Sequence, residues 1–208
     1  AVVAGDTKVV ERGKGDGLYV TTAGVGELAD DVDLSPARVR PGDRVLLSGT
    51  LADHGMAVLV ARGDLALEAD IASDTAPVHE LTARLTAFGD GLRWMRDTTR
   101  GGLATALNEL AAGSGLSVRL QEGALPFRPA VLGACEVLGI DPLYVANEGK
   151  LVAICGAADA DRLLAAMRAH PLGRAASIIG DVIEDPHHFV QMDTSFGGRR
   201  VVDWLTGE

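Results

Sequence analysis

Apolar and polar positions divide the chain into two regions of different pattern. Residues 1–10 and 18–25 predict β-strands, joined by a glycine-rich loop. Because a two-stranded hairpin is only marginally stable alone, we expect these strands to pair with a further domain, with the second region or with another copy. From Arg44 onward, strands and helices alternate, which predicts an α/β domain with helices covering a sheet. The predicted strands there are 44–50, 117–121, 150–155, 176–182 and 189–193, and the predicted helices are 54–62, 77–88, a helix after Arg100, 129–138 and 159–170.

Composition narrows the class of protein. The chain has 208 residues, 47% of them hydrophobic, which is enough for one good core and part of a second. A net charge of −10 opposes binding to a phosphate backbone. The sequence shows no apolar run long enough for a membrane span and no export signal. We therefore expect a soluble, cytoplasmic α/β protein with neither a nucleic acid nor a membrane as partner.

An acid, two hydroxyls and paired glycines directly precede a predicted amphipathic helix in segment 97–110. Thr99 could cap this helix, and Gly101 and Gly102 would let a phosphate approach the free N–H groups of its first turn. Asp97 lies next to them. The alternative is an ordinary capped helix with a flexible start. In either case the helix should bury one face, formed by Leu103, Leu107 and Leu110.

Cysteines and histidines point to structural roles. Cys135 and Cys155 lie in apolar runs, which favours buried thiols. No Cys-x-x-Cys or His-x-x-x-His spacing occurs, so we predict no structural zinc site. His54 could act as an acid or hydrogen-bond donor, but we favour a helix start here, with Asp53 as its cap. The two histidines at 187–188 should lie in a solvated turn.

Lys8 and Glu148 are the candidates for acid–base chemistry. Lys8 lies in a strand-like run, where alternation would put it on the same face as Asp6. A lysine there could stabilise developing negative charge or act as a base. Glu148 lies in a turn before an apolar strand, where a rigid scaffold can aim a side chain into a cleft. The alternatives are a surface lysine paired with Asp6 and a turn glutamate offset by Lys150.

Five segments together resemble a known family in order and spacing: 3–10, 52–55, 97–102, 143–152 and 197–203. They resemble the HypE family of hydrogenase maturation dehydratases. That family belongs to a superfamily of ATP-using enzymes with aminoimidazole ribonucleotide synthetase, selenophosphate synthetase and thiamin monophosphate kinase. Each short motif alone is weak, whereas the combination covers nearly the whole chain.

The resemblance implies a fold and a division into domains. It implies a PurM-like C-terminal α/β (α+β) domain over 44–208, with a mixed sheet covered by helices. Residues 1–28 would be remnant strands of an N-terminal ATP-binding domain, and 29–43 the linker. By this comparison the upstream half of the ATP-binding domain and the family's Pro-Arg-Ile-Cys tail are absent. We therefore expect this fragment to be inactive alone.

The resemblance also implies a chemistry. HypE-like enzymes receive a carbamoyl group on a C-terminal cysteine and use ATP, with Mg, to dehydrate the S-carboxamide to a thiocyanate. The thiocyanate supplies the cyanide ligands of nickel–iron hydrogenase. Lys8 and Glu148 would form the proton relay, and no residue of this chain is expected to bind a metal. The residues expected at the nucleotide are Asp6, Thr7, Asp97, Thr99, Gly101, Gly102 and Asn147.

The partners implied by the family are a second copy of the chain, the carbamoyltransferase HypF and the HypC–HypD scaffold complex. Two alternatives stay open. The chain could be a non-catalytic module for dimerisation or partner docking. It could also be another PurM-like enzyme, such as selenophosphate synthetase or a purine-pathway synthetase. The Asn-Glu-Gly-Lys run and the Gly-Gly-Arg ending favour the HypE-like assignment.

Overall fold

The computed structural model describes residues 2–15, 17–27, 29–63 and 70–204, and the chain divides into two units, Ala1–Asp30 and Asp31–Glu208. Within residues 2–15 and 17–27 the first unit forms neither strand nor helix. The strands predicted over 1–10 and 18–25 are therefore not formed in this structure. Without further strands to complete a sheet, the two segments cannot bury their apolar side chains, and Val3, Val9 and Tyr19 are exposed.

In the described part of the second unit, seven strands form one mixed sheet in the order β2-β4-β1-β5-β3-β6-β7. Neighbours are antiparallel except β3 and β6, which are parallel. The strands are β1 Arg44–Leu47, β2 Leu92–Asp97, β3 Ser117–Gln121, β4 Leu151–Cys155, β5 Ser177–Ile183, β6 Val190–Asp193 and β7 Arg199–Val202. The helices are α1 Asp53–Arg62, α2 His79–Thr86, α3 Gly102–Ser114, α4 Pro129–Leu138 and α5 Ala160–Arg168. The predicted α/β class with a helix-covered mixed sheet is confirmed.

Helices cover both faces of this sheet, and β4 shows why. All of its residues are buried. Val152 and Ile154 belong to the core that includes α3, whereas the alternate residues Leu151 and Ala153 belong to the core that includes α2 and α5. The predicted apolar face of α3 is buried in the first of these cores, through Leu103, Leu107 and Leu110.

Two strands were missed by the sequence pattern, and both lie at the edges of the sheet. In β2, Arg93 and Arg96 interrupt the apolar run, and β7 begins with Arg199 and Arg200. Charged side chains are common on edge strands, because they discourage pairing with other molecules. The same charges remove the apolar pattern on which strand prediction rests.

Part of the predicted linker packs within the second unit. Pro36–Arg38 forms a 3₁₀ turn, and a Cβ added at Gly113 of α3 would lie 3.1 Å from Pro36. Val39 and Asp43 are buried. The Asp43 carboxylate accepts a hydrogen bond from the Arg40 N–H at 2.8 Å. Residues 36–43 therefore contribute to the packing of this unit.

The structure confirms the predicted burial of both cysteines and the predicted exposure of His187 and His188. Cys135 and Cys155 are free and buried. Burial raises the pKa of the Cys155 thiol to about 12. His187 and His188 lie exposed in the connection before β6.

Candidate functional site

Three loops of the second unit meet at Asn147, whose side chain is 0% exposed. Its Oδ1 accepts a hydrogen bond from the Ala52 N–H at 2.8 Å. Its Nδ2 donates to the carbonyl oxygens of Thr98, at 3.0 Å, and Val145, at 3.1 Å. The amide therefore has partners for its acceptor and both donors within the protein. This geometry makes Asn147 a residue that joins the loops, and its contact with a nucleotide stays a prediction.

The segment before α3 differs from its predicted form. Gly101 occupies the N-cap position with φ of 71°, and no side chain caps the helix. Thr99 contributes only its backbone carbonyl, which accepts from the Gly102 N–H at 3.0 Å. The prediction that Thr99 caps α3 is therefore wrong, because the left-handed glycine closes the turn through backbone hydrogen bonding. Asp97 is exposed at the end of β2.

Gly102 is required for the packing of α3, and its predicted role in the approach of a phosphate stays a prediction. Its φ is +61°, and a Cβ added there would overlap the Leu143 carbonyl oxygen and lie 2.7 Å from that of Val145. Any larger residue would push α3 away from the 143–145 segment. The sequence does not show this contact between Gly102 and the 143–145 segment.

Glu148 lies where the sequence predicts, in the turn before β4, and its side chain is 41% exposed. Lys150 does not offset it. The Lys150 Nζ lies 2.9 Å from Asp74 Oδ2, and these two side chains are only 11% and 1% exposed. Asp74 Oδ1 also accepts from the Glu148 N–H at 3.3 Å. One buried carboxylate, missed by the sequence analysis, therefore holds the residues on both sides of Gly149.

Asp53 does not cap α1, so that prediction is wrong. The N-cap residue is Ala52, with φ of 69° and no side-chain cap. The buried Asp53 carboxylate accepts instead from the Thr50 hydroxyl, with Oδ2 at 2.5 Å, and lies 3.5 Å from Arg128 Nε. A nearby cation and hydroxyl offset part of the cost of its burial through Oδ2, whereas Oδ1 has no hydrogen-bond partner among the described residues.

His54 lies between two hydroxyls and the Glu148 carboxylate. Its Nδ1 is 2.9 Å from Ser73 Oγ and 3.4 Å from Thr75 Oγ1. Its Nε2 is 3.9 Å from Glu148 Oε1, and the imidazole is 25% exposed. His54 thus has a hydrogen-bond partner at Nδ1 and a carboxylate facing Nε2 beyond hydrogen-bond distance, an arrangement that favours a role as acid or hydrogen-bond donor.

Beside this group lies an open cleft of about 420 Å³. Three cationic side chains and three hydroxyls are among its lining residues: Arg128, Lys150, Arg174, Thr50, Ser73 and Thr75. Asp74 also lines the cleft and pairs with Lys150, so the positive charge that favours an anionic ligand group comes from Arg174 and from Arg128, which lies 3.5 Å from Asp53. The cleft could therefore hold a carboxylate or a phosphate next to the Glu148 turn.

Asp6, Thr7 and Lys8 belong to the first unit, where they are exposed. Asp6 Oδ1 accepts from the Thr7 N–H at 2.8 Å. All three also line an open cavity of about 550 Å³ within that unit. The proton relay between Lys8 and Glu148, and the nucleotide contacts of Asp6 and Thr7, stay predictions.

Within residues 2–15, 17–27, 29–63 and 70–204, no three His, Cys, Asp or Glu side chains are grouped to hold a metal ion. In that same part, no helix is both long and apolar enough to cross a membrane.

Comparison with known proteins defines the class first. Residues 40–193 match the family model described as AIR synthase related protein, C-terminal domain, and the chain belongs to this family. It is 60% identical over 207 residues to the carbamoyl dehydratase HypE of Cupriavidus necator, and 60% identical over 208 residues to that of Bradyrhizobium diazoefficiens. Both alignments cover 100% of this chain but only 59% and 60% of the relatives, so the chain spans about three fifths of their length.

Solved structures agree with these relatives. The structure of hydrogenase maturation protein HypE in complex with ATP superposes with a TM-score of 0.82 and 39% identity, covering 88% of this chain and 56% of that one. A HypE–HypF complex gives a TM-score of 0.81 and 40% identity, covering 85% of this chain and 57% of that one. The resemblance to the HypE family is therefore confirmed.

Proposed function

We propose that this chain is the greater part of an ATP-dependent carbamoyl dehydratase of hydrogenase maturation, a HypE-like enzyme. The observation that carries the proposal is the Glu148 turn, in which Asn147 and Asp74 hold a half-exposed carboxylate beside a cationic cleft. In this proposal residues 44–208 form the PurM-like C-terminal domain and 29–43 the linker. Residues 1–28 are the remnant of the ATP-binding domain.

The reaction would convert a C-terminal cysteine S-carboxamide to a thiocyanate. The amide oxygen is a poor leaving group, so ATP phosphorylates it before it departs. The nitrogen must then lose a proton to a base as the carbon–oxygen bond breaks. Glu148 is the base, since its carboxylate reaches the surface while its backbone is fixed, and Lys8 is its proposed partner in the relay.

Nucleotide binding is assigned to residues with free polar groups. Asp97 is exposed, and Thr99 has no capping role that would occupy its hydroxyl. Asp6, Thr7 and Gly101 belong to the same proposed set, and so do Gly102 and Asn147, which also hold the loops in place. Magnesium would accompany ATP, and no step is assigned to a metal.

The proposed partners follow the family. A solved complex of HypE with HypF supports HypF as a partner, and its role as the carbamoyl donor is part of the proposal. The HypC–HypD complex as acceptor, a homodimer and a cytoplasmic location are further parts of the proposal. We also propose that this polypeptide alone makes no thiocyanate, because family members use a C-terminal cysteine as acceptor.

The test uses a full-length protein that carries this sequence with a complete ATP-binding domain and cysteine tail. The protein is loaded with the carbamoyl group, ATP is added, and the loss of one water from the cysteine adduct is followed by single-turnover mass spectrometry. Glu148→Gln should slow this step by about 10²–10⁴-fold, as expected for a positioned base. Lys8→Ala should act similarly, and the double variant should lose little more than either single one.

Glu136→Gln provides the matched control, since Glu136 is an exposed glutamate of α4. It should dehydrate at the wild-type rate. A wild-type protein that never forms thiocyanate would refute the enzymatic function and favour a docking module. Normal dehydration in Glu148→Gln would refute only the assignment of the base.

A further inference from the structure

His54 connects the proposed base to hydroxyls at the surface of the protein. Its Nε2 faces Glu148 Oε1 at 3.9 Å, and its Nδ1 lies 2.9 Å from Ser73 Oγ. Ser73 Oγ in turn lies 2.8 Å from Thr75 Oγ1, and both of these residues are exposed. A line of exchangeable groups, with one gap of 3.9 Å between the carboxylate and the imidazole, therefore runs from Glu148 through His54 to solvent.

The backbone holds the imidazole and the carboxylate near each other. The Gly55 N–H donates to the Ala146 carbonyl at 3.0 Å, which attaches the first turn of α1 to the segment just before Glu148. A Cβ added at Gly55 would overlap the Val145 side chain. Because only glycine permits this approach, the distance between His54 and Glu148 is set by packed backbone as well as by flexible side chains.

The separation of 3.9 Å is informative, because it exceeds a hydrogen bond. If Nδ1–H donates to Ser73, Nε2 carries a lone pair that faces an ionised carboxylate, and two acceptors do not approach closely. Once Glu148 takes a proton, its carboxyl group becomes a donor. The same two atoms can then form a hydrogen bond through a small side-chain rotation.

The stoichiometry of the proposed reaction calls for such a connection. Conversion of a carboxamide to a nitrile removes both hydrogens from the nitrogen, the first as the oxygen is phosphorylated and the second as phosphate leaves. In the second step the N–H bonding pair becomes a carbon–nitrogen π bond, and the carbon–oxygen pair departs with the phosphate. A carboxylate accepts only one proton, so Glu148 must be unloaded during or after each turnover.

We propose that His54 is the residue that unloads Glu148. It accepts the proton at Nε2 and releases the Nδ1 proton through the Ser73 hydroxyl to solvent, which returns the imidazole to its neutral form. This inference rests on the proposed dehydration. It adds a group that moves protons away from the base without contacting the carboxamide.

The test compares His54→Ala with the wild type in the full-length protein. Dehydration should slow by about 10²-fold, the lower end of the range for a positioned acid–base group, while loading with the carbamoyl group is unchanged. Added imidazole should restore much of the rate in His54→Ala, because it can occupy the space left by the ring. His187→Ala, which removes an exposed histidine from a turn, should have the wild-type rate and no response to imidazole.

The possible outcomes distinguish a failure of the His54 relay from a failure of the dehydration on which it rests. A wild-type rate in His54→Ala, or a slow rate that imidazole leaves unchanged, would overturn the relay and leave the dehydratase proposal standing. Absence of thiocyanate from the wild type would overturn both. A nitrogen-detected NMR spectrum adds a readout that does not depend on turnover. Glu148→Gln should shift the His54 ring signals, and Glu136→Gln should not.

Discussion

Replacing Asn147 by alanine should destabilise the second unit by several kcal/mol. The side chain makes three hydrogen bonds, and its partners lie on the loop before α1, on the loop before α3 and just before the Glu148 turn. Alanine keeps the backbone N–H of residue 147, which still donates to the Thr98 carbonyl at 3.1 Å. That carbonyl therefore retains a partner.

Two groups lose their partner in this variant, the Ala52 N–H and the Val145 carbonyl. Both belong to buried residues. A buried polar group left without a hydrogen bond costs about 1–3 kcal/mol, so the pair predicts a loss of about 2–6 kcal/mol in the free energy of unfolding. This range is large against the total stability of a domain, which is about 5–15 kcal/mol.

Urea denaturation followed by circular dichroism measures this loss, with the slope of the transition as a check that both proteins unfold to the same extent. Glu148→Ala is the neighbouring control. Its half-exposed side chain should change stability by less than about 0.5 kcal/mol. If Asn147→Ala loses no more than this control, the amide does not hold the loops together and the account of the site is wrong.

Three further predictions address glycine packing, a buried ion pair and a thiol. In urea denaturation, Gly102→Ala should lower the free energy of unfolding more than Gly139→Ala does. Both glycines have positive φ, but only Gly102 lies against neighbouring carbonyl oxygens. Equal losses of stability would contradict the packing argument. Asp74→Asn leaves the buried Lys150 ammonium group without its counter-ion and should lower the free energy of unfolding by about 3–5 kcal/mol in the same assay. A loss below about 1 kcal/mol, which is typical of an exposed ion pair, would contradict the buried-pair interpretation. Cys155 should resist iodoacetamide in the native protein at pH 8 and react once unfolded. Because burial raises the pKa of the folded thiol to about 12 from its usual value of 9.0, its contribution to stability is complete below pH 9 and is lost as the pH rises towards 12. Alkylation of the native protein, seen by mass spectrometry, would contradict this burial.

Sequence pattern predicted the elements whose burial follows from their own residues. The boundaries of β3 and α4 agree with prediction, and β4 is a continuous apolar run buried on both faces. The pattern failed where structure depends on distant partners. The segments 1–10 and 18–25 have strand-like sequences but form no strand here, and β2 and β7 carry arginines that hide their strand character.

The candidate site was predictable in part for the same physical reason. Glu148 could be found because its turn adjoins a recognisable strand. Asp74 could not, since its contact with Lys150 joins residues 76 positions apart. Local rules also assigned caps to Asp53 and Thr99, because these residue types commonly cap helices. In the structure Asp53 pairs with Thr50 and Arg128, and a backbone turn replaces the Thr99 cap.

In the turn at 147–150, three residues fix the turn against neighbouring segments and one residue presents its side chain at the surface. Asn147 is fixed by hydrogen bonds to three loops, and Lys150 is fixed by Asp74. Gly149 lies so close to the loop at residues 74–76 that any Cβ would overlap the Asp74 carbonyl. Only Glu148 extends to the surface, with its backbone N–H held by the same Asp74. A side chain presented on such a supported turn keeps its position without ordering at the moment of reaction, which is what a base acting on a bound amide requires.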